Sequence, residues 1–197
     1  MPASFETDTW ECRDESVEAV QQTMGVSVVS ATRQYEDVAT RRALVAASNG
    51  EYDAQVRFFA ASNISFTPSL PLGITGKMIA PTIRQEAREE FVERLEAQNI
   101  LAVREVEETE RALDDDHRPH VTEYAAIHPL TRTSDRTLPL TCWIVVWMAD
   151  GNARVVTAGH PAVTLATHLE LADSGGLLDR SPDSYRDEFF EHVAGVQ

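Results

Sequence analysis

Leu138-Pro139-Leu140-Thr141-Cys142-Trp143-Ile144-Val145-Val146-Trp147-Met148 is the most apolar stretch of the chain, and its reading decides the fold. A run of this length, rich in β-branched and aromatic residues, favours a strand over a helix. Trp143 and Trp147 share parity with Thr141 and Val145, whereas Cys142, Ile144, Val146 and Met148 share the other. Both faces are apolar, so the strand belongs inside a sheet covered on both sides. Asp150-Gly151-Asn152 then turns the chain into Ala153–Ala158, which predicts a hairpin.

Working outward, Asn49-Gly50 between Arg42–Ser48 and Tyr52–Ser62 predicts a second tight hairpin. Val17–Met24 reads as a short helix ending at Gly25, and Gly25–Arg33 as a strand. Residues 66–81 carry Pro68, Pro71, Gly73, Gly76 and Pro81, the composition of a loop. A helix follows, with Pro81 in its first turn and Asn99 near its end. Ile83, Ala87, Phe91 and Leu95 recur every fourth residue along one side of it. Glu86, Glu89, Glu90, Glu93 and Arg94 occupy the opposite side.

Ile100–Val106 reads as extended, Glu107–Leu113 fits strand or helix, and Asp114–Pro119 is a turn before a strand at Val121–His128. Val163–Leu171 is ambiguous. Ser181, Pro182 and Gly195 are the cap, first position and end of a last helix, whose apolar side is Tyr185, Phe189 and Val193. Paired hairpins with segregated helices predict an α+β class: a mainly antiparallel sheet packed with about three helices. No repeat or linker divides residues 1–197, which read as one domain with a loosely ordered stretch at 1–15.

The charge is as informative as the pattern. The chain has 32 Asp and Glu against 17 Lys and Arg, a formal charge of −15, and Lys77 is its one lysine. Such a surface repels polyanions, which excludes nucleic acid and an anionic membrane as partners held by the overall field. In about 1 M salt the Debye length falls to about 3 Å, so crowded carboxylates scarcely repel. Arginine is more weakly hydrated than lysine and pairs better with carboxylates. Both traits suit a protein working in molar salt, although a GC-rich genome would also favour arginine. Cys12 and Cys142 form no disulfide framework or zinc motif, and the start shows no apolar leader. A cytoplasmic location is the expectation.

The acid-rich, lysine-poor composition resembles that of haloarchaeal cytoplasmic proteins. The order of elements resembles a haloarchaeal family of unknown function, carried here by Phe59–Gly73, Glu86–Leu95 and Val121–His128. More distantly it is similar to PsbP-like α/β/α folds, which implies a binding or accessory module. Neither resemblance carries catalytic residues to this chain.

Candidate chemistry is sparse. Gly73-Ile74-Thr75-Gly76-Lys77-Met78 has the wrong glycine spacing for a phosphate loop and Met78 where the magnesium ligand belongs. The same segment, through Leu70, Leu72, Ile74 and Lys77, is a candidate loop for a ligand or partner, or caps the sheet with its apolar side chains. Asp114, Asp116, His117 and His120 are metal-type ligands without an EF-hand spacing, so no metal or other cofactor is assigned. His128 and His160 each close a strand before a proline. They are the candidates for acid–base work if neighbouring strand ends bring them together beside Cys142 or Tyr124. The expected function is a non-enzymatic module for a small molecule or protein, held between sheet and helices or at the 66–81 loop. The alternatives are a hydrolase built on the His128/His160 region and a homodimeric structural protein.

Overall fold

A computed structural model describes residues 9–23, 26–67, 76–112, 117–130, 136–171 and 176–196. The strands are β1 (Trp10–Thr23), β2 (Val26–Asp37), β3 (Phe58–Thr67), β4 (Leu101–Glu110), β5 (His120–Pro129), β6 (Thr137–Ala149) and β7 (Asn152–Pro161). The helices are α1 (Val38–Ala47), α2 (Gly76–Ala97), α3 (Leu165–His168) and α4 (Pro182–Gly195). All seven strands form one antiparallel sheet in the order β1-β2-β3-β7-β6-β5-β4. The class is the expected α+β, although one of the two hairpins behind that expectation is absent.

β1-β2-β3 and β4-β5-β6-β7 are two meanders joined where β3 pairs with β7. The chain leaves β3 in the middle of the sheet and must reach the far edge before β4. α2 makes that crossing over one face, where it packs on β4, β6 and β7, while α4 packs on β7. Register fixes the two faces. Thr32, Ser62, Val155 and Val146 stand in line through the pairs that join β2, β3, β7 and β6, with Ser30, Ile144 and Tyr124 on the same side. With Phe91 and Leu95 of α2, most of the apolar members of this side form one core. Tyr35, Phe59, Ala158 and Trp143 line up on the other side and form a second core with Phe189, Phe190 and Val193 of α4. β6 is buried on both faces, as its two apolar parities require.

The hairpin at Asp150-Gly151 is present, with both residues at positive φ (52° and 76°), the geometry a two-residue β-turn demands. The hairpin expected at Asn49-Gly50 is absent. Val38–Ala47 is α1, capped at its start by the Asp37 carboxylate on the Thr40 N–H at 2.8 Å. Asn49 and Gly50 take the same positive φ (52° and 84°), but Gly50 N–H returns to the Val45 carbonyl at 2.8 Å and closes a helix end. Left-handed geometry was readable in the sequence; its use was not.

Three further expectations are overturned. Val17–Thr23 is not helical but continues β1, because pairing with β2 from Trp10↔Asp37 to Thr23↔Val26 outweighs the local pattern. Residues 10–15, expected to be loose, are in the same strand. α2 begins at Gly76, so Pro81 lies inside it rather than in its first turn. Its missing N–H forfeits a single bond near the helix start. Glu107–Glu110, open between strand and helix, belongs to β4, and Ser181 caps α4 through its hydroxyl on Ser184 N–H at 3.2 Å.

β1 and β4 are the sheet edges, and each has two register shifts and a row of carboxylates. Bulges and charge keep exposed edges from pairing with another chain. No described helix is long and apolar enough to cross a membrane.

Candidate functional site

The helix-bearing face over β2, β3 and β7 is incompletely filled. Where α2 crosses these strands, the sheet offers Ser30, Thr32, Ser62 and Thr157, and the helix offers Ala87. Short side chains on both surfaces leave a cavity of about 150 Å³, walled by Ile64, Phe66, Ile83 and Phe91 with Glu86 and Glu90 at the rim. A second compartment of about 90 Å³ adjoins it along α2 and shares Phe91, Arg94 and Thr157 with the first. Gln34, Gln55, Gln98 and Arg13 line its other parts.

Burying hydroxyls is unfavourable unless they are hydrogen-bonded. Here they satisfy one another: Thr32 Oγ1 and Ser62 Oγ lie 2.8 Å apart, and Ser30 Oγ lies 3.4 Å from Thr32 Oγ1. Each hydroxyl has one donor and two acceptor sites, so the ladder retains capacity toward the cavity. The groove therefore combines apolar walls with a few polar groups on a rigid sheet, the chemistry of a small-molecule site.

The opposite face is closed. Arg57, only 4% exposed, pairs with the buried Asp37 carboxylate and reaches Glu188 Oε2 at 3.1 Å. Its guanidinium lies 4.9 Å from the Trp10 ring centroid and 4.3 Å from that of Tyr185. Glu188 also meets Arg180 at 2.5 Å and accepts from Trp10 Nε1 at 3.1 Å. Burial alone would raise the Glu188 carboxyl, but His192, Arg57, Trp10 and Arg180 hold it well below the usual carboxylate range. This cluster ties β1, the start of α1, the entry to β3 and α4 together. The cavity beside it is about 10 Å³, too small to receive a ligand.

His128 and His160 stand on opposite faces. His128 pairs across from Leu138 and His160 from Thr141, three residues apart on β6, so they do not meet. His160 is buried, accepts from Trp143 Nε1 at 3.1 Å, and therefore donates from Nδ1 to the Pro161 carbonyl at 2.9 Å. Burial pushes it down to about 4, and both ring nitrogens are engaged within the protein. Gly159 beside it answers to packing. A Cβ there would stand 2.3 Å from the Phe58 ring.

His128 lines an open recess of about 440 Å³ with Asp53, Gln55, Gln98 and Asn99, and its Nδ1 has no partner among the described residues. It shares a face with Tyr124 and Cys142. The Cys142 thiol is pushed up to about 12 by burial, which leaves it protonated. His120 lies 3.2 Å from Glu110 and 3.8 Å from Glu108, whereas Asp114 and Asp116 fall outside the described residues. Among the described residues no three His, Cys, Asp or Glu side chains are arranged to hold a metal ion. Leu70, Leu72 and Ile74 are also outside the described residues, and Lys77 stands in the first turn of α2.

Sequence reasoning missed the hydroxyl ladder and Arg57. Ser30, Thr32 and Ser62 belong to two strands far apart in sequence, and only the β2–β3 register brings them together under a helix. The one available signal was the narrow stripe of α2, where Ala87 interrupts larger apolar residues.

No curated protein and no solved structure matches the chain. A family described as Domain of unknown function (DUF6517) matches residues 2–197, nearly the whole length. The incompletely filled groove and the closed, ion-paired face thus describe a chain that belongs to the DUF6517 family.

Proposed function

We propose that this chain is a single-domain, salt-adapted module without catalytic activity that holds a small amphipathic molecule in the groove beneath α2. The observation that carries this reading is the part-buried hydroxyl ladder of Ser30, Thr32 and Ser62, with Thr32 itself buried, left facing a cavity of about 150 Å³ rather than a packed helix. Polar groups with spare hydrogen-bond capacity beside apolar walls are what orients a small ligand. Cavities of this size admit a single ring or a short chain. The acid excess and the single lysine support a haloarchaeal source and a cytoplasm of concentrated salt. The layering of helix, sheet and helix agrees with the accessory role that PsbP-like folds imply.

A melting-temperature screen in molar KCl tests this reading, using small alcohols, carboxylates and amines with ring or short-chain bodies. A ligand present at about a hundred times its Kd stabilises by about 2.7 kcal/mol. The expected result is a rise with at least one class in the native chain and none in Ala87→Leu, which fills the cavity. No rise with any class overturns the ligand reading. The melting temperature itself should climb from dilute buffer to molar KCl; a flat response contradicts salt adaptation.

A further inference from the structure

We propose that the ligand of this groove is a small carboxylic acid, its apolar body lying against Phe91 and its carboxylate turned to Arg94 in the second compartment. This assignment rests on the ligand reading above and adds the chemistry of the head group. In a chain where acids outnumber bases 32 to 17, that compartment is an exception. Its described lining includes Arg13, Arg94, Gln34, Gln55 and Gln98 and no carboxylate. The first cavity shares Arg94 but has Glu86 and Glu90 at its rim. A carboxylate placed among the glutamates would be repelled. At the other end it meets guanidinium and amide donors.

Both arginines retain donors for such a ligand. Arg94 bonds Glu90 through Nη2 at 2.5 Å, an exposed contact one helical turn away. Arg13 bonds Glu36 through Nε at 2.7 Å and lies 3.8 Å from Glu11 through Nη1. A guanidinium has five N–H groups, so these pairings leave several uncommitted. They also hold the two side chains in place, which lessens the entropy lost on binding. Phe91, Arg94 and Thr157 belong to both compartments, so one molecule can lie across them with its body under α2 and its head between Arg94 and the glutamines. The glutamines supply neutral donors that bind a carboxylate without a second buried charge.

Three probes with one body separate the head from the groove: 3-phenylpropionate, 3-phenylpropanol and 3-phenylpropylamine. Calorimetric titration of the full chain in molar KCl is expected to rank the acid first, with the amine weakest. Arg94→Met should weaken the acid about tenfold and leave the alcohol unchanged. The Arg94 side chain is 39% exposed at the edge of the compartment, so the variant is expected to keep the fold, and its melting temperature checks that. Alcohol or amine binding as tight as the acid, or an acid affinity untouched by Arg94→Met, overturns the carboxylate assignment while the groove stands. No binding by any of the three overturns the assignment together with the groove.

Discussion

The two faces of the sheet solve the same covering problem in opposite ways. Under α4, rings and charges fill the space: Trp143 packs on Phe190 at 5.5 Å between centroids, Phe189 on Phe190 at 5.0 Å, and Arg57 is enclosed by Asp37, Glu188, Trp10 and Tyr185. Under α2, hydroxyls and an alanine leave space unfilled. The difference teaches where stability and binding are placed. A face whose buried charges are paired resists change, because removing either partner strands the other. A face with satisfied hydroxyls and a void tolerates an occupant.

The largest expected effect breaks the closed face. Arg57→Met leaves the buried Asp37 without its guanidinium, while Glu188 keeps Arg180, and should cost about 3–5 kcal/mol, read by denaturant unfolding in molar KCl. Arg94→Met on the other face removes an exposed pair and should cost about 0.5 kcal/mol or less. Similar losses for the two would erase the contrast.

Acid comes next. His160 titrates at about 4 in the folded chain against an ordinary 6.5, so the unfolded chain binds more protons between those values. Stability from this residue is full above about pH 6.5, falls as pH drops toward 4, and amounts to about 3 kcal/mol. His160→Gln should flatten that part of the profile. Glu188, held lower still, loses its contribution only at more acidic pH. An unchanged slope in the variant would remove His160 from the closed face's stability.

Gly159→Ala sharpens the comparison further, since Phe58 must move to admit the methyl group. A loss of about 1–3 kcal/mol is expected from overpacking, against under about 1 kcal/mol for Ala87→Leu, whose added atoms enter a void. The melting temperatures of the pair check this.

Much of the frame was legible in the sequence. Strand β6 announced its two covered faces, and the stripe of α2 and cap of α4 were readable from spacing. The errors share one physical cause. Asn49-Gly50 and Asp150-Gly151 adopt nearly the same φ angles, yet one ends α1 and the other joins β6 to β7. Local chemistry specifies a left-handed pair; what flanks it decides the element. β1 likewise owes its extended form to β2, a partner that local periodicity does not display. The groove was the least legible, because Thr32 and Ser62 are thirty residues apart and meet only through register. Arg57 gave no sign either: nothing beside it in sequence shows that Glu188 and Tyr185 will enclose it.

The most direct measurement is an amide chemical-shift map of the chain in molar KCl, with and without 3-phenylpropionate. The two-face account predicts saturable changes at Thr32, Ser62, Ala87 and Phe91, with Trp143, His160, Phe189 and Val193 unmoved. Changes centred on the α4 face, or spread evenly over both, would contradict it.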